Sequence, residues 1–136
     1  MMRELINDII VKLRRQGVED IYSAFDAKAV DHKGGGFFTV VGFNSFEASS
    51  PIYSPYTVYM PFKAEADIKV TAPKSSSMTE LYDYYDSRIS KTVEGMSGLT
   101  CRLSGMSVKF DSNIQRLVLD VRLAVSGISR TERSPS

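Results

Sequence analysis

The sequence lacks most of the residues that build metal centres and disulfide scaffolds. Its 136 residues include one cysteine, Cys101, one histidine, His32, and no tryptophan. A single cysteine cannot form an intramolecular disulfide, and a single histidine cannot supply a Cys/His zinc site within one chain. We therefore predict neither a disulfide framework nor a bound metal, and no motif indicates a cofactor.

An excess of charge of one sign and long apolar runs are also missing. Lys and Arg number 17 and Asp and Glu 16, a net charge of +1, so the totals create no general attraction to nucleic acid or anionic lipid. No stretch approaches the roughly 18 apolar residues of a membrane helix, and the opening Met1–Glu4 is unlike a signal peptide. These absences predict a protein that folds in the cytoplasm, with no membrane partner and no specific nucleic-acid partner.

The composition that is present is typical of one globular domain. Hydrophobic residues make up 43% of the chain and charged residues 24%, and 136 residues leave no room for two cores. We assign a single α+β domain to residues 1–128. From Ser129 onward there is no apolar residue, so 129–136 is predicted to be a disordered polar tail.

Two segments have the apolar spacing of amphipathic helices. Apolar residues recur every three or four positions over 2–13, and Gly17 supplies the stop. The second helix is predicted over 77–95, because its opening Ser-Met-Thr-Glu has the spacing of a capping box. Its apolar stripe includes Tyr82 and Tyr85.

Alternation of apolar and polar residues predicts the strands. The alternation is clearest over 56–71, where the length predicts a bend or bulge near Pro61. A second bulge is expected at Ser104–Gly105, because the inward phase changes between Leu103 and Met106. The predicted extended segments are 18–25, 37–46, 56–71 and a hairpin over 99–128, with a loop over 49–55.

These elements predict a two-layer α+β fold: an antiparallel sheet of four or five strands with two amphipathic helices on one face. The other face of that sheet is then lined by charged residues and is either solvated or an interface. We predict that it joins subunits through Lys63, Glu65, Asp67, Lys69, Arg116, Asp120 and Arg122.

No arrangement of residues indicates catalysis. His32 has no Ser, Cys or carboxylate placed around it by the sequence, and Cys101 shares the inward phase of a strand. Gly34–Gly36 lacks the Lys-Ser/Thr of a phosphate-binding loop and leads into a strand. We therefore predict that the protein is not an enzyme.

Tyrosines cluster beside the proline-containing loop at the far end of the long strand. Exposed tyrosines in such a place indicate either a protein interface or packing of the loop on itself. On the interface interpretation, Tyr53 and Tyr56 contact a partner, together with Lys33 in the glycine-rich loop.

The layout resembles that of the tail terminator, or tail completion, proteins of long-tailed phages and phage-like particles. The resemblance rests on the opening helix over 2–13 followed by Gly-Val-Glu-Asp-Ile-Tyr, the strand over 56–71, the capped helix over 77–95 and the closing hairpin with its polar tail. It implies a ring-forming subunit, in that family a hexamer, that caps the tail tube. The implied partners are other copies of the chain, the tail tube protein, and a sheath, neck or head-completion protein. The implied location is the host cytoplasm during assembly and then the particle.

Two other classes of function remain open on the sequence. A type III secretion-like chaperone, or another protein-interaction module, has a similar order of elements, although such chaperones tend to be strongly acidic. A small-ligand-binding protein would use a cavity between the second helix and the sheet. The first alternative predicts a stable dimer, and the second predicts a saturable small molecule.

Overall fold

The structure is a computed structural model that describes residues 2–18, 20–23, 36–94 and 100–132. The second helical segment is divided by a π-helical turn. In chain order the elements are α1 (Met2–Arg15), β1 (Ile21–Ser23), β2 (Phe38–Ala48), β3 (Ile52–Tyr53), β4 (Thr57–Pro73), α2 (Met78–Tyr84), the π-helix (Tyr85–Ile89), α3 (Ser90–Glu94), β5 (Thr100–Asp111) and β6 (Arg116–Glu132).

One mixed sheet of six strands organises the described chain. Its strand order is β1-β2-β4-β6-β5, and β3 pairs with β4 next to β2. β1 runs parallel to β2, whereas the other pairs are antiparallel. The prediction of an antiparallel sheet of four or five strands with two helices on one face is therefore wrong. Alternation of apolar residues identifies a strand, but it contains no information about the direction of the neighbouring strand.

The two longest strands pair along their whole length. β4 and β6 each have 17 residues, and their register runs without a shift from Thr57↔Glu132 to Pro73↔Arg116. The bulge predicted near Pro61 is therefore absent from this ladder. The Pro61 carbonyl accepts a hydrogen bond from the Ser49 amide at 2.8 Å, on the side where the chain passes between β2 and β3. An amide hydrogen at Pro61 would point to that same side, so the proline removes no β4–β6 hydrogen bond.

Three further predictions concern a bulge, a loop and the C-terminal tail. The bulge at Ser104–Gly105 is confirmed, since the β5–β6 register shifts between Leu103 and Gly105. The loop predicted over 49–55 contains the two-residue strand β3. The polar tail predicted from Ser129 begins too early, because residues 129–132 belong to β6 and pair with β4; residues 133–136 lie outside the described residues.

The core lies on one side of the sheet, which we call the inner face. On β4 and β6 it presents the residues predicted to face inward, and Ile68, Val70 and Leu119 have no exposed surface. They form one cluster with the apolar stripe of α1, including Ile9 and Leu13. Each such side chain contributes about 1.5–3 kcal/mol when it is fully buried, so this cluster holds the short helices on the sheet.

The second helical segment differs from its prediction in one respect. The predicted capping box is present, with Ser77 and Glu80 bonded reciprocally. The π-helix that follows α2 has a wider turn, which rotates the later residues relative to the earlier ones. Within α2, Tyr84 follows the buried Leu81 by three residues, is itself buried and packs on Phe37 at 5.1 Å between ring centroids, whereas Tyr82, predicted to face the core, is exposed.

A candidate interaction surface on the outer face of the sheet

The face of the sheet opposite the core, called here the outer face, carries the predicted subunit interface. The β4–β6 register puts Asp67 opposite Arg122 and Lys69 opposite Asp120 on this face. The structure therefore brings the predicted charged residues together on one side of two adjacent strands. Their exposure differs: Lys63, Lys69 and Arg122 are exposed, Glu65 and Asp120 are partly buried, and Asp67 and Arg116 are buried.

Asp67 lies on the outer face in a cluster of hydrogen-bonded polar side chains and is itself buried. Asn44 is the extra residue at a bulge in β2, and its Nδ2 donates to Glu65 Oε1 at 3.0 Å and to Asp67 Oδ1 at 2.9 Å. Burial raises the pKa of the Asp67 carboxyl, and repulsion from Asp120 adds to that rise. Lys69 and Arg122 act in the opposite direction. Asp67 thus serves the protein's own packing, and only 7% of its surface is available to a partner.

Arg116 is an internal anchor rather than a contact residue. Its guanidinium donates to the carbonyl of Thr71 at 3.3 Å and to the carbonyl of Gly36, and it lies over the Phe38 ring at 4.8 Å. Burial lowers its pKa from the ordinary arginine value. These contacts join the start of β2 to β4 and β6. Arg116 is only 7% exposed, so little of it is accessible to another subunit, and its predicted contact there stays a prediction.

The bulge in β5 brings Ser104 and Gly105 close to Arg122. Ser104 Oγ donates to the Arg122 carbonyl at 3.1 Å, which holds the bulge to β6. A Cβ atom at Gly105 would lie 3.0 Å from Arg122 Nη2, so glycine leaves room for the guanidinium to lie across the strand. The Arg122 side chain is still exposed and remains available to a partner.

An open depression of about 310 Å³ lies on the outer face, near the β5–β6 turn. Its apolar walls come from Phe38, Val40, Val118 and Ile114, and Lys69, Lys109 and Asp120 provide charge. Asp120 Oδ1 is buried and has no hydrogen-bond partner. A depression with this lining suits a side chain of a partner that combines an apolar body with a donor group.

A second exposed surface lies at the end of the sheet where β3, β4 and the last residues of β6 meet. Thr57 and Ser54 close the β3–β4 connection, since the Ser54 amide donates to the Thr57 carbonyl at 2.8 Å. We call this end the ribbon tip and define it by its exposed apolar side chains: Ile52 (57% exposed), Tyr53 (67%), Tyr56 (77%) and Ile128 (62%). The two predicted contact tyrosines both belong to it, whereas Lys33 lies outside the described residues.

Several features of this surface have no clear signal in the sequence. The bulge at Asn44 and the stacking of Arg116 on Phe38 depend on which strands are neighbours, and residue spacing does not specify that. Phe110 on the edge strand β5 follows the inner phase, opposite Leu117, and is nevertheless 48% exposed. A count of helical residues available to cover the sheet could have indicated that an outer strand would be left uncovered.

Cys101 is a described residue among the other candidates for chemistry that the sequence offered. Cys101 is half-buried, and burial raises the pKa of its thiol, which disfavours the reactive thiolate. His32 and residues 34–35 of the glycine loop lie outside the described residues. Within the described parts of the chain, no three His, Cys, Asp or Glu residues are grouped as a metal site, and no helix has the length and hydropathy of a membrane span.

Comparison with known proteins does not place the chain in a family. No protein-family model matches it, and no curated protein does. Among solved structures, the type 4 fimbrial biogenesis protein PilO from Pseudomonas aeruginosa aligns with a TM-score of 0.30 and 10% identity, covering 97% of this chain and 72% of PilO. The core region of PilO from the type IV pilus system of the same organism aligns with a TM-score of 0.26 and 10% identity, covering 82% of this chain and 95% of that one. At these scores the likeness establishes neither a shared fold nor a shared function.

Proposed function

We propose that this protein is a structural assembly subunit: a tail terminator that forms a ring, as a hexamer, on the end of a phage or phage-like tail tube. The observation that carries the proposal is the presence of two groups of exposed side chains on one small sheet. One is the ribbon tip and the other is the charged outer face. The ribbon tip can then bind partners along the particle axis while other parts of the sheet bind neighbouring copies, and head-to-tail contacts between copies close into a ring when the rotation permits.

The chemistry of the two surfaces favours protein partners. Four exposed apolar or aromatic side chains lie at this end of the sheet, with Ile52 and Tyr53 on opposite faces of β3, and aromatic residues are enriched in protein interfaces. The outer face mixes both signs of charge, with Lys63 and Lys69 beside Glu65 and Asp120. Mixed charge suits contacts between proteins better than contact with a uniformly negative nucleic acid.

The proposal assigns the ribbon tip to partners along the particle axis, namely the tail tube protein and a sheath, neck or head-completion protein. The protein acts there without a cofactor and without catalysing a reaction. It is located in the host cytoplasm during assembly and afterwards in the particle tail.

Deletion of the gene in a host that produces the particle tests this function. Electron microscopy of the particles should show overlong tubes or tubes without heads, because a terminator stops tube growth and presents the joining surface. Complementation with the unchanged gene should restore normal length. Particles of normal length and attachment from the deletion strain would contradict the proposal, and loss of one secreted client protein in that strain would indicate a chaperone.

Complementation with variants tests the ribbon tip separately. We expect the double substitution Tyr56→Ser and Ile128→Ser to leave the fold intact, since both side chains are largely exposed, and to fail to restore tube length. The matched control is Met78→Ser with Tyr82→Ser, which removes two exposed apolar side chains from α2. Restoration by both doubles would show that the ribbon tip is not the contact.

A further inference from the structure

The strand at one edge of the sheet has exposed apolar side chains on the inner face. β5 is the last strand in the order β1-β2-β4-β6-β5, and within the described chain no strand pairs with its outer side. Leu103 and Phe110 are 40% and 48% exposed, whereas Leu123, directly opposite Leu103 on β6, has no exposed surface. The described part of the chain therefore leaves Leu103 and Phe110 only partly covered.

Among the described residues, the opposite edge of the sheet also lacks a neighbouring strand over part of its length. β1 pairs only with Thr39–Val41 of β2, so within the described residues the second half of β2, Asn44–Ala48, has β4 on one side and no strand on the other. Phe46 in this half points to the inner face and Glu47 to the outer face, as their partners on β4 show. Glu47 is exposed.

The ladders put the two open edges at the same level of the sheet. Following the registers across β4 and β6, Glu47 is level with Thr100, Phe46 with Cys101 and Ser45 with Arg102. If the edge of one copy meets the opposite edge of another at this level, Glu47 and Arg102 become diagonal neighbours on the outer face. Phe46 comes to lie beside the apolar Leu103 on the inner face. Opposite charges and apolar pairs at cross-strand positions each stabilise strand pairing.

The strand directions also suit a ring. β2, β4, β6 and β5 alternate in direction, so β5 runs opposite to β2. Copies related by a rotation axis along the strands keep the same orientation, and β5 of one copy then meets β2 of the next as an antiparallel neighbour. No described strand pairs with the outer side of β5, a strand of 12 residues, and such a neighbour would satisfy backbone groups on that side.

We propose that neighbouring copies of this chain join by antiparallel pairing of β5 of one copy with Asn44–Ala48 of the next, which makes the sheet continuous between subunits. The inference rests on the proposed ring function and names the contact that closes the ring. Glu47 and Arg102 supply the charge complementarity of that contact, and Phe46 and Leu103 supply its apolar side.

A charge-reversal pair tests the contact, with the mass in solution measured by sedimentation over a concentration series. Arg102→Glu and Glu47→Arg each turn an attractive pair into a repulsive one and should each raise the apparent dissociation constant of the oligomer about tenfold. An equimolar mixture of the two variants should restore assembly, because every contact in an alternating ring again pairs opposite charges. Arg14→Glu, on the exposed side of α1, is the control and should assemble like the unchanged protein.

The outcomes separate this contact from the terminator function. If the unchanged protein forms rings and both single variants assemble equally well, or if the mixture fails to recover, the β5–β2 contact is refuted while a ring-forming terminator stands. A protein that stays monomeric at every concentration also refutes the contact, and the deletion phenotype then decides the terminator function independently. Circular dichroism melting of each variant, unchanged from the parent, excludes misfolding as the cause of lost assembly.

Discussion

Replacing Arg116 by methionine tests whether this residue stabilises the fold or contacts another subunit. Methionine keeps an unbranched apolar stem of similar reach and removes the guanidinium. The lost contacts are the hydrogen bonds to the carbonyls of Thr71 and Gly36 and the stacking on Phe38. The matched control is Arg122→Met, on the same strand and the same face, where the side chain is exposed.

The magnitude follows from the contacts. Hydrogen bonds from a charged donor contribute about 1.5–3 kcal/mol each, and a cation–π contact about 0.5–2 kcal/mol. Relief of the cost of burying the charge, which is evident in the lowered pKa of Arg116, offsets part of that sum. We expect Arg116→Met to lower the free energy of unfolding by about 2–4 kcal/mol, and Arg122→Met to change it by less than about 1 kcal/mol.

Urea unfolding followed by far-ultraviolet circular dichroism measures both changes, with the slope against urea checked for constancy. Equal stability of the two variants, together with loss of assembly in Arg116→Met alone, would refute the anchor and restore Arg116 as an interface residue. A change in slope would instead show that the substitution altered the compactness of one of the states being compared.

Three further predictions test the core, the polar cluster and the helix cap. Leu119→Ala should cost about 2–5 kcal/mol in urea unfolding, because its side chain is fully buried, and Leu119→Asp should leave no folded protein by circular dichroism; normal melting of either would overturn the strand phase. Because the pKa of Asp67 is raised in the folded state, its stabilising effect is complete below the unfolded pKa and declines as pH rises through the folded pKa. Asp67→Asn should therefore give a flatter dependence of the urea midpoint on pH in the acidic range and a higher midpoint at neutral pH, and an unchanged pH profile would refute the assignment. Ser77→Ala should lower the free energy of unfolding by about 0.5–2 kcal/mol, because the capping box is lost. Ser75→Ala, on the exposed turn before the helix, is the control and should leave the free energy of unfolding unchanged.

The sheet shows where reasoning from the sequence succeeds. Tyr56–Thr71 alternates because one side of that strand faces the core, and the observed β4 keeps the predicted phase from Phe62 onward, whereas at its start Tyr56 is exposed and Thr57 is buried. The bulge at Ser104–Gly105 was predictable for the same reason, since an extra residue is the simplest way for a strand to change its inward phase. Both predictions depend only on which side of a single strand faces the core.

The candidate site was predictable only in part. Lys63, Lys69 and Arg122 do lie together on the exposed outer face, as alternation requires. Asp67 and Arg116 occupy the same face but are buried, because Asn44 and Phe38 reach them from β2. The sequence contains the charges but does not indicate which of them the protein itself neutralises or covers.

The sequence by itself determined the helix and strand periods, the inward phase of each long strand and the capping box, because each depends on neighbours a few residues apart in the chain. The tertiary structure decided the parallel β1, the sixth strand, the π-helical turn, the burial of Tyr84 in place of Tyr82 and, among the described residues, the parts of β5 and β2 that have no strand on their outer side. These depend on which distant segments become neighbours and on how much of the sheet two short helical segments can cover. A surface for assembly is what remains uncovered, so it is decided only when the whole core has been formed.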